Sequence, residues 1–348
     1  MPTILLLAML WFSTASCGAE LPPYPPVEAM HADVARRIAA GEFSGLLEDA
    51  DRFQKSQERF GDGRWKLAVF YRCLREGFSD HASSESDWHR YQTALAALTT
   101  SHARSSNAWL MLAALHDSHA WAERGGGYAD TVTEVGFDHF KALLEQSREI
   151  LNKHKAALSD NPQWYALRIA IGGSAGDDPR ELDALFAEGV RKTPDYQQTW
   201  FARLHFLTPK WGGSIGEMAN FIAHGRRFAT GTEGAGMTAR LLRFADDDGS
   251  YELVRQPGID WDDVKKSYDD VLDRYPVNFN AQYYLLESCG KSDKLETAHL
   301  LVRSQALPVQ ADLGQNAGVY GLCVQWATGK IPAFIMRDHD TGVTRTIR

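Results

Sequence analysis

Apolar residues along the chain recur mostly three and four positions apart, and alternation at every second position is scarce. That spacing stacks apolar side chains on one stripe of a helix, so helices are expected almost throughout and no sheet of consequence. Val27 to Ala40 reads as a helix closing at Gly41, and Leu46 to Phe60 as a second, with Gly61-Asp62-Gly63 as the connection. Trp65 to Leu74 and Trp88 to Leu98 follow as further apolar helices. Three later segments end alike, each placing a large apolar residue eight positions before a proline: Phe186 before Pro194, Tyr268 before Pro276 and Leu300 before Pro308. Proline just past a helix end is a stop signal, so these segments are expected to be the second helices of helix pairs.

The first helices share an opening. Trp109, Trp164-Tyr165, Trp200-Phe201 and Tyr283-Tyr284 each begin a run that continues apolar, and Pro162 to Pro194 spans 32 positions, as does Pro276 to Pro308. This pattern resembles the tetratricopeptide repeat, a helix-turn-helix unit of about 34 residues. Units are uneven, and the segment 116–160 is expected to interrupt the array. Capping boxes support the helix starts at Asp178, Ser214 and Thr131, each with Glu three residues on, and Asp260 with Asp263 is a looser version. The fold class expected is all-α: a TPR-like helix-turn-helix solenoid, 27–330, with irregular N-terminal helices. An extended tail, 331–348, follows, as a hairpin or a frayed end flanking His339-Asp340-Thr341-Gly342.

The N-terminus changes the picture. Ile4 to Phe12 is an apolar run too short to span a bilayer core comfortably, and small residues follow it. Residues 1–19 therefore read as a secretory signal. Thr14-Ala15-Ser16-Cys17 resembles a lipoprotein lipobox, which leaves two routes open: lipidation of Cys17, with attachment to a membrane, or ordinary cleavage near Ala19. The Pro-rich stretch 20–26 would be a stiff tether. Beyond Cys17 only Cys73, Cys289 and Cys323 remain, without CxxC spacing, so a disulfide-stapled minidomain and a zinc ribbon are unsupported. In an exported chain Cys289 with Cys323 is the bridge to expect, the other reading being buried free thiols. With 44% hydrophobic residues and 24% charged, the whole chain is not disordered, and a net charge of −8 without a basic stripe gives no surface for nucleic acid.

The densest cluster of unusual residues is His116 to Tyr128, HDSHAWAERGGGY. His116, His119 and Glu123 fall on one helical face and could begin a metal site, but no third ligand is legible, and a core histidine is the simpler reading. Arg124 with Gly125, Gly126 and Gly127 suggests anion binding near a helix start, or else a loop in which glycine supplies positive φ and Arg124 meets a carboxylate. GGGY lacks the Lys-Ser/Thr of a P-loop, so no nucleotide or other cofactor is expected. Asp340-Thr341-Gly342 supplies one Asp where aspartic-protease chemistry needs two, and reads as a turn.

The run His119 to Glu134, with Pro209-Lys210-Trp211-Gly212-Gly213-Ser214, resembles a bacterial domain-of-unknown-function family of exported TPR-like proteins over most of 40–290. The resemblance implies fold and export and carries no reaction. The sequence thus points to a non-catalytic protein- or peptide-binding or scaffolding module of the bacterial cell envelope. Its candidate binding residues are His116, His119, Trp121, Glu123, Arg124, Gly125, Gly127, Tyr128 and Trp211. The rivals are an enzyme with His116, His119, Glu123 and Arg124 converging at the 116–131 loop, and an adaptor in a secretion or toxin-immunity system.

Overall fold

The structure is a computed structural model that describes residues 26–125, 132–225, 234–247, 253–305, 307, 317–337 and 344–348. Among them the chain is all-α and built as a helical repeat: sixteen α-helices and one two-stranded sheet. The helices are α1 (Pro26–Ala40), α2 (Phe43–Ser56), α3 (Lys66–His81), α4 (Glu85–Ser101), α5 (Ser106–Arg124), α6 (Glu134–Lys153), α7 (Lys155–Leu158) and α8 (Pro162–Ala175). They continue as α9 (Pro179–Lys192), α10 (Gln197–His205), α11 (Ile215–Gly225), α12 (Met237–Asp247), α13 (Trp261–Arg274), α14 (Asn278–Gly290), α15 (Lys294–Gln305) and α16 (Ala317–Ala327).

Helices α3, α5, α8, α10 and α12 pack in series, while α4 and α6 back α5, α9 backs α8, and α11 and α13 back α12. This is the two-layered stacking of a helix-pair array, in which each pair buries a face it could not cover alone. The helix ends follow local chemistry. Pro194, Pro276 and Pro308 lie two or three residues past α9, α13 and α15, and Phe186, Tyr268 and Leu300 are buried as the shared spacing required. Asp178 caps α9 by accepting from the Arg180 amide, Asp260 caps α13 by accepting from the Asp263 amide, and Ser214 accepts from the Glu217 amide. At α6 the cap is Thr133, accepting from the Gly136 amide, and not Thr131, which lies outside the described residues.

Two expectations change. The described residues of 116–160 do not interrupt the array: α5 and α6 are simply its longest pair, packed along one another, with α7 as one added turn. Gly61-Asp62-Gly63 is more than a connection. The stretch 57–65 between α2 and α3 reaches across to α10 and α14, where Trp65 Nε1 donates to the Asp195 carbonyl (2.8 Å), Arg59 pairs with Asp195 (2.7 Å) and Gln197 donates to the Gly63 carbonyl (3.1 Å). The Arg64 guanidinium lies 5.7 Å over the Phe279 ring. Gly63 is required there, having φ +89° and a position where a Cβ would press on the Tyr275 ring.

Asp62 anchors this clasp. It is wholly buried, accepts from the Arg64 backbone amide (2.9 Å) and the Arg64 Nε (2.7 Å), and pairs with Arg64 Nη2 at 2.6 Å. Burial alone would raise its carboxyl, but Arg64 and Arg243 outweigh burial and hold it at about 2.

The C-terminal end is closed twice. Cys289 of α14 and Cys323 of α16 form a disulfide with Cα atoms 5.8 Å apart, and Cys73 of α3 is a free, buried thiol. The tail forms a hairpin of β1 (Phe334–Arg337) and β2 (Thr344–Ile347), antiparallel with Phe334 opposite Ile347, and it rests on α16 with Met336 and Ile347 buried. Residues 338–343, including Asp340-Thr341-Gly342, lie outside the described residues, as does Cys17. No described helix is long and apolar enough to cross a membrane.

Candidate functional site

Helix α5 divides the HDSHAWAER stretch between two faces. Its start is set by Ser105, whose hydroxyl accepts from the Ala108 amide, and after 19 helical residues Gly125 ends it with φ +75°. An L side chain would be strained in that conformation, and this is the use of the first glycine. Asp117, Trp121 and Arg124, spaced four and three apart, share one face of the helix and border a cavity of about 920 Å³. Arg75 of α3, Ser174 of α8, Phe201 and His205 of α10, Phe206 and Trp211 beyond it, and Phe244 of α12 are among the residues of its other walls. The volume lies at the upper end of the roughly 300–1,000 Å³ typical of ligand sites.

Aromatic rings shape the interior. Trp121 meets Trp211 edge-on at 6.0 Å, and Trp211 also meets Phe206 (4.9 Å) and His205 (5.2 Å). The guanidinium of Arg124 lies over Trp121 (5.1 Å), Phe137 and Phe140 (5.8 Å each) and donates to the Gly125 carbonyl (3.1 Å). Its place is thus fixed by ring faces. Trp211 closes the 3-10 turn Pro209–Trp211 just ahead of the Ser214 cap, which explains how a loop tryptophan comes to face α5.

The polar groups of the cavity are incompletely matched. Asp117, 1% exposed, forms an ion pair with Arg75, whose Nε stands 2.7 Å from Oδ2 but off the line of a good hydrogen bond, and Oδ2 is sealed from solvent. Trp211 Nε1 is likewise sealed from solvent without an acceptor. Burial raises the Asp117 carboxyl above its ordinary range, with the charge and N–H of Arg75 and the Trp121 indole only partly opposing it. Burial also pushes the His205 imidazole down to about 4, helped by Lys210 and Arg75, so it is neutral at physiological pH. What remains is a cavity lined by Arg75, Arg124 and Lys210 against Asp117 alone among charged residues. Buried polar atoms without partners cost about 1–3 kcal/mol each.

The opposite face of α5 turns away from the cavity. His116 is buried, and its burial, with the nearby His119, lowers its imidazole to about 4, which makes it a neutral core histidine. The His119 ring stacks on Trp88 of α4 (4.3 Å, 10°), and its Nε2 lies 3.1 Å from Glu85. Glu123 bonds His139 of α6 at 2.9 Å. His116, His119, Glu123 and Arg124 therefore do not converge: of the four only Arg124 reaches the cavity, and an enzyme site built from all of them is not what the fold assembles. Trp121, Arg124 and Trp211 do come together there. Gly127 and Tyr128 lie outside the described residues.

Sequence reasoning missed Arg75, Phe201, His205, Phe206, Lys210 and Phe244. Asp117 carried a signal, standing four before Trp121 and seven before Arg124 on one helical stripe. The others stand outside α5, from Arg75 of α3 to Phe244 of α12, and share no local pattern with it. Comparison of the chain with protein-family models, with curated proteins and with solved structures gives no match.

Proposed function

We propose that the protein is a non-catalytic, peptide-binding module of the bacterial cell envelope, and that its ligand enters the cavity between α5, α10 and α12. The observation that carries this reading is an aromatic enclosure of about 920 Å³ whose charged lining is Arg75, Arg124 and Lys210 against Asp117. An aromatic side chain of an extended peptide fits among Trp121, Phe206 and Phe244. Arg124 and Lys210 favour a ligand bearing a carboxylate. The apolar N-terminal run and the resemblance of residues 119–134 and 209–214 to exported TPR-like proteins support the envelope as the place of action.

Calorimetric titration with short synthetic peptides that carry one aromatic residue and a free carboxylate tests the proposal. The expected result is saturable one-to-one binding. Trp211→Ala, which removes one aromatic wall of the cavity, should weaken it at least fivefold, the worth of about 1 kcal/mol. Absence of saturable binding in the wild type, or equally tight binding in Trp211→Ala, would overturn the reading.

A further inference from the structure

On the far face of α5 from the cavity, three helices bring two imidazoles and two carboxylates to one spot, and the geometry points to a binding site for a divalent first-row transition ion of the zinc type. His119 of α5, Glu123 one turn later and Glu85 at the first position of α4 each aim one ligand atom at a common point, with all three atoms within 4.8 Å of one another. His119 Nε2 is 3.1 Å from Glu85 Oε1 and 3.9 Å from Glu123 Oε1. Atoms bound about 2.1 Å from a tetrahedral ion stand roughly 3.4 Å apart, so these edges bracket the required length without any helix moving.

The donors also suit each other chemically. Nε2 of an imidazole carries at most one hydrogen and serves one carboxylate well, yet two face it here. A cation satisfies all three groups and relieves the repulsion between Glu85 and Glu123. Two outer contacts give the site the support that ligating groups need. Trp88, 6% exposed, holds the plane of the His119 ring by stacking, and His139 of α6 binds the other oxygen of Glu123 at 2.9 Å. The set is one nitrogen and two oxygens, with Glu85 three-quarters exposed, so a fourth position opens to solvent water. His116, on the same stripe of α5, is sealed one turn deeper and takes no part.

The test is titration of the full chain with Zn2+ alone, read by competition against a chelating indicator, and with Co2+, read by visible absorption. The expected result is one ion per chain and an intense four-coordinate Co2+ band. His119→Gln and Glu123→Gln should each weaken binding at least tenfold and abolish the band, while His102→Gln, an exposed histidine on another face, leaves both unchanged. Both ligand variants keep side-chain volume and polarity, and an unaltered far-ultraviolet spectrum shows that they fold. Absence of one-to-one saturation in the wild type, or undiminished affinity in both ligand variants, overturns the assignment. Because neither variant touches the cavity, peptide binding that survives in them separates failure of this site from failure of the proposed function.

Discussion

Asp62 and Asp117 are both carboxylates sealed from solvent, each beside an arginine at 2.6 and 2.7 Å, yet their protonation is driven in opposite directions. In the clasp, Asp62 receives a backbone amide, the Arg64 guanidinium and the charge of Arg243, and these outweigh burial. In the cavity, Asp117 faces Trp121 and a misaligned Arg75, itself more than a third exposed, and burial wins. The distance between two charges therefore does not decide what a buried pair is for. The number of donors aimed at the carboxylate does, because only a fully bonded charge repays its desolvation. A completed set, as at Asp62, holds the fold together, and an incomplete one leaves the carboxyl shifted by burial.

The largest effect expected from breaking this comparison lies at the clasp. Asp62→Ala leaves Arg64 among buried groups without its partner and should cost about 3–5 kcal/mol in denaturant unfolding. The pH dependence has a definite sign. Because the folded value of Asp62, about 2, lies below the ordinary carboxylate value, its contribution is complete above about pH 4 and is lost as pH falls toward 2. Wild type should show that acid loss and Asp62→Ala should not, and an unchanged acid limb in the variant would sink the assignment.

Reduction of the Cys289–Cys323 bridge comes next. The bond closes a separation of 34 residues, worth about 4 kcal/mol in the chain-entropy view, so a reductant should lower the melting temperature of wild type and of Cys323→Ser unequally. Equal melting of wild type with and without reductant would contradict it. Arg124→Ala should cost about 1 kcal/mol of stability, the worth of a cation over aromatic rings, and should weaken carboxylate-bearing peptides more than their amidated forms. Loss confined to stability would show that Arg124 is scaffold alone.

The smallest stability change belongs to Asp117→Asn, expected within about 1 kcal/mol of wild type despite complete burial, because Arg75 can turn to solvent. Here the sign reverses. A raised folded value means the native state holds its proton longer, so Asp117 makes stability fall as pH rises above the ordinary carboxylate value, and Asp117→Asn should remove that fall.

Much of the array was legible because helix boundaries are local chemistry. Prolines past α9, α13 and α15, the caps at Asp178, Ser214 and Asp260, and the aromatic openings of α5, α8, α10 and α14 all act within a few residues of where they stand. Gly125 was legible for the same reason, since one positive φ needs one glycine. The site was only partly legible. Trp121 and Arg124 belong to a single helical stripe, but Arg75, His205 and Phe244 join it through the curvature of the stack, which no periodicity of three or four encodes. Glu85 meets His119 across 34 positions, so the histidines showed half a ligand set in the sequence and the rest only in three dimensions. The clasp was missed because Gly61-Asp62-Gly63 has the composition of an ordinary loop, and what distinguishes it is contact with residues more than 130 positions away.

The most direct test of the comparison is a carboxyl-carbon NMR titration of selectively labelled aspartates, with Asp62→Asn and Asp117→Asn spectra assigning the two signals. The account predicts that Asp62 titrates near 2, that Asp117 titrates above the ordinary carboxylate range, and that a bound peptide shifts Asp117 alone. Two signals that both titrate below the ordinary range, or a peptide that moves neither, would contradict it.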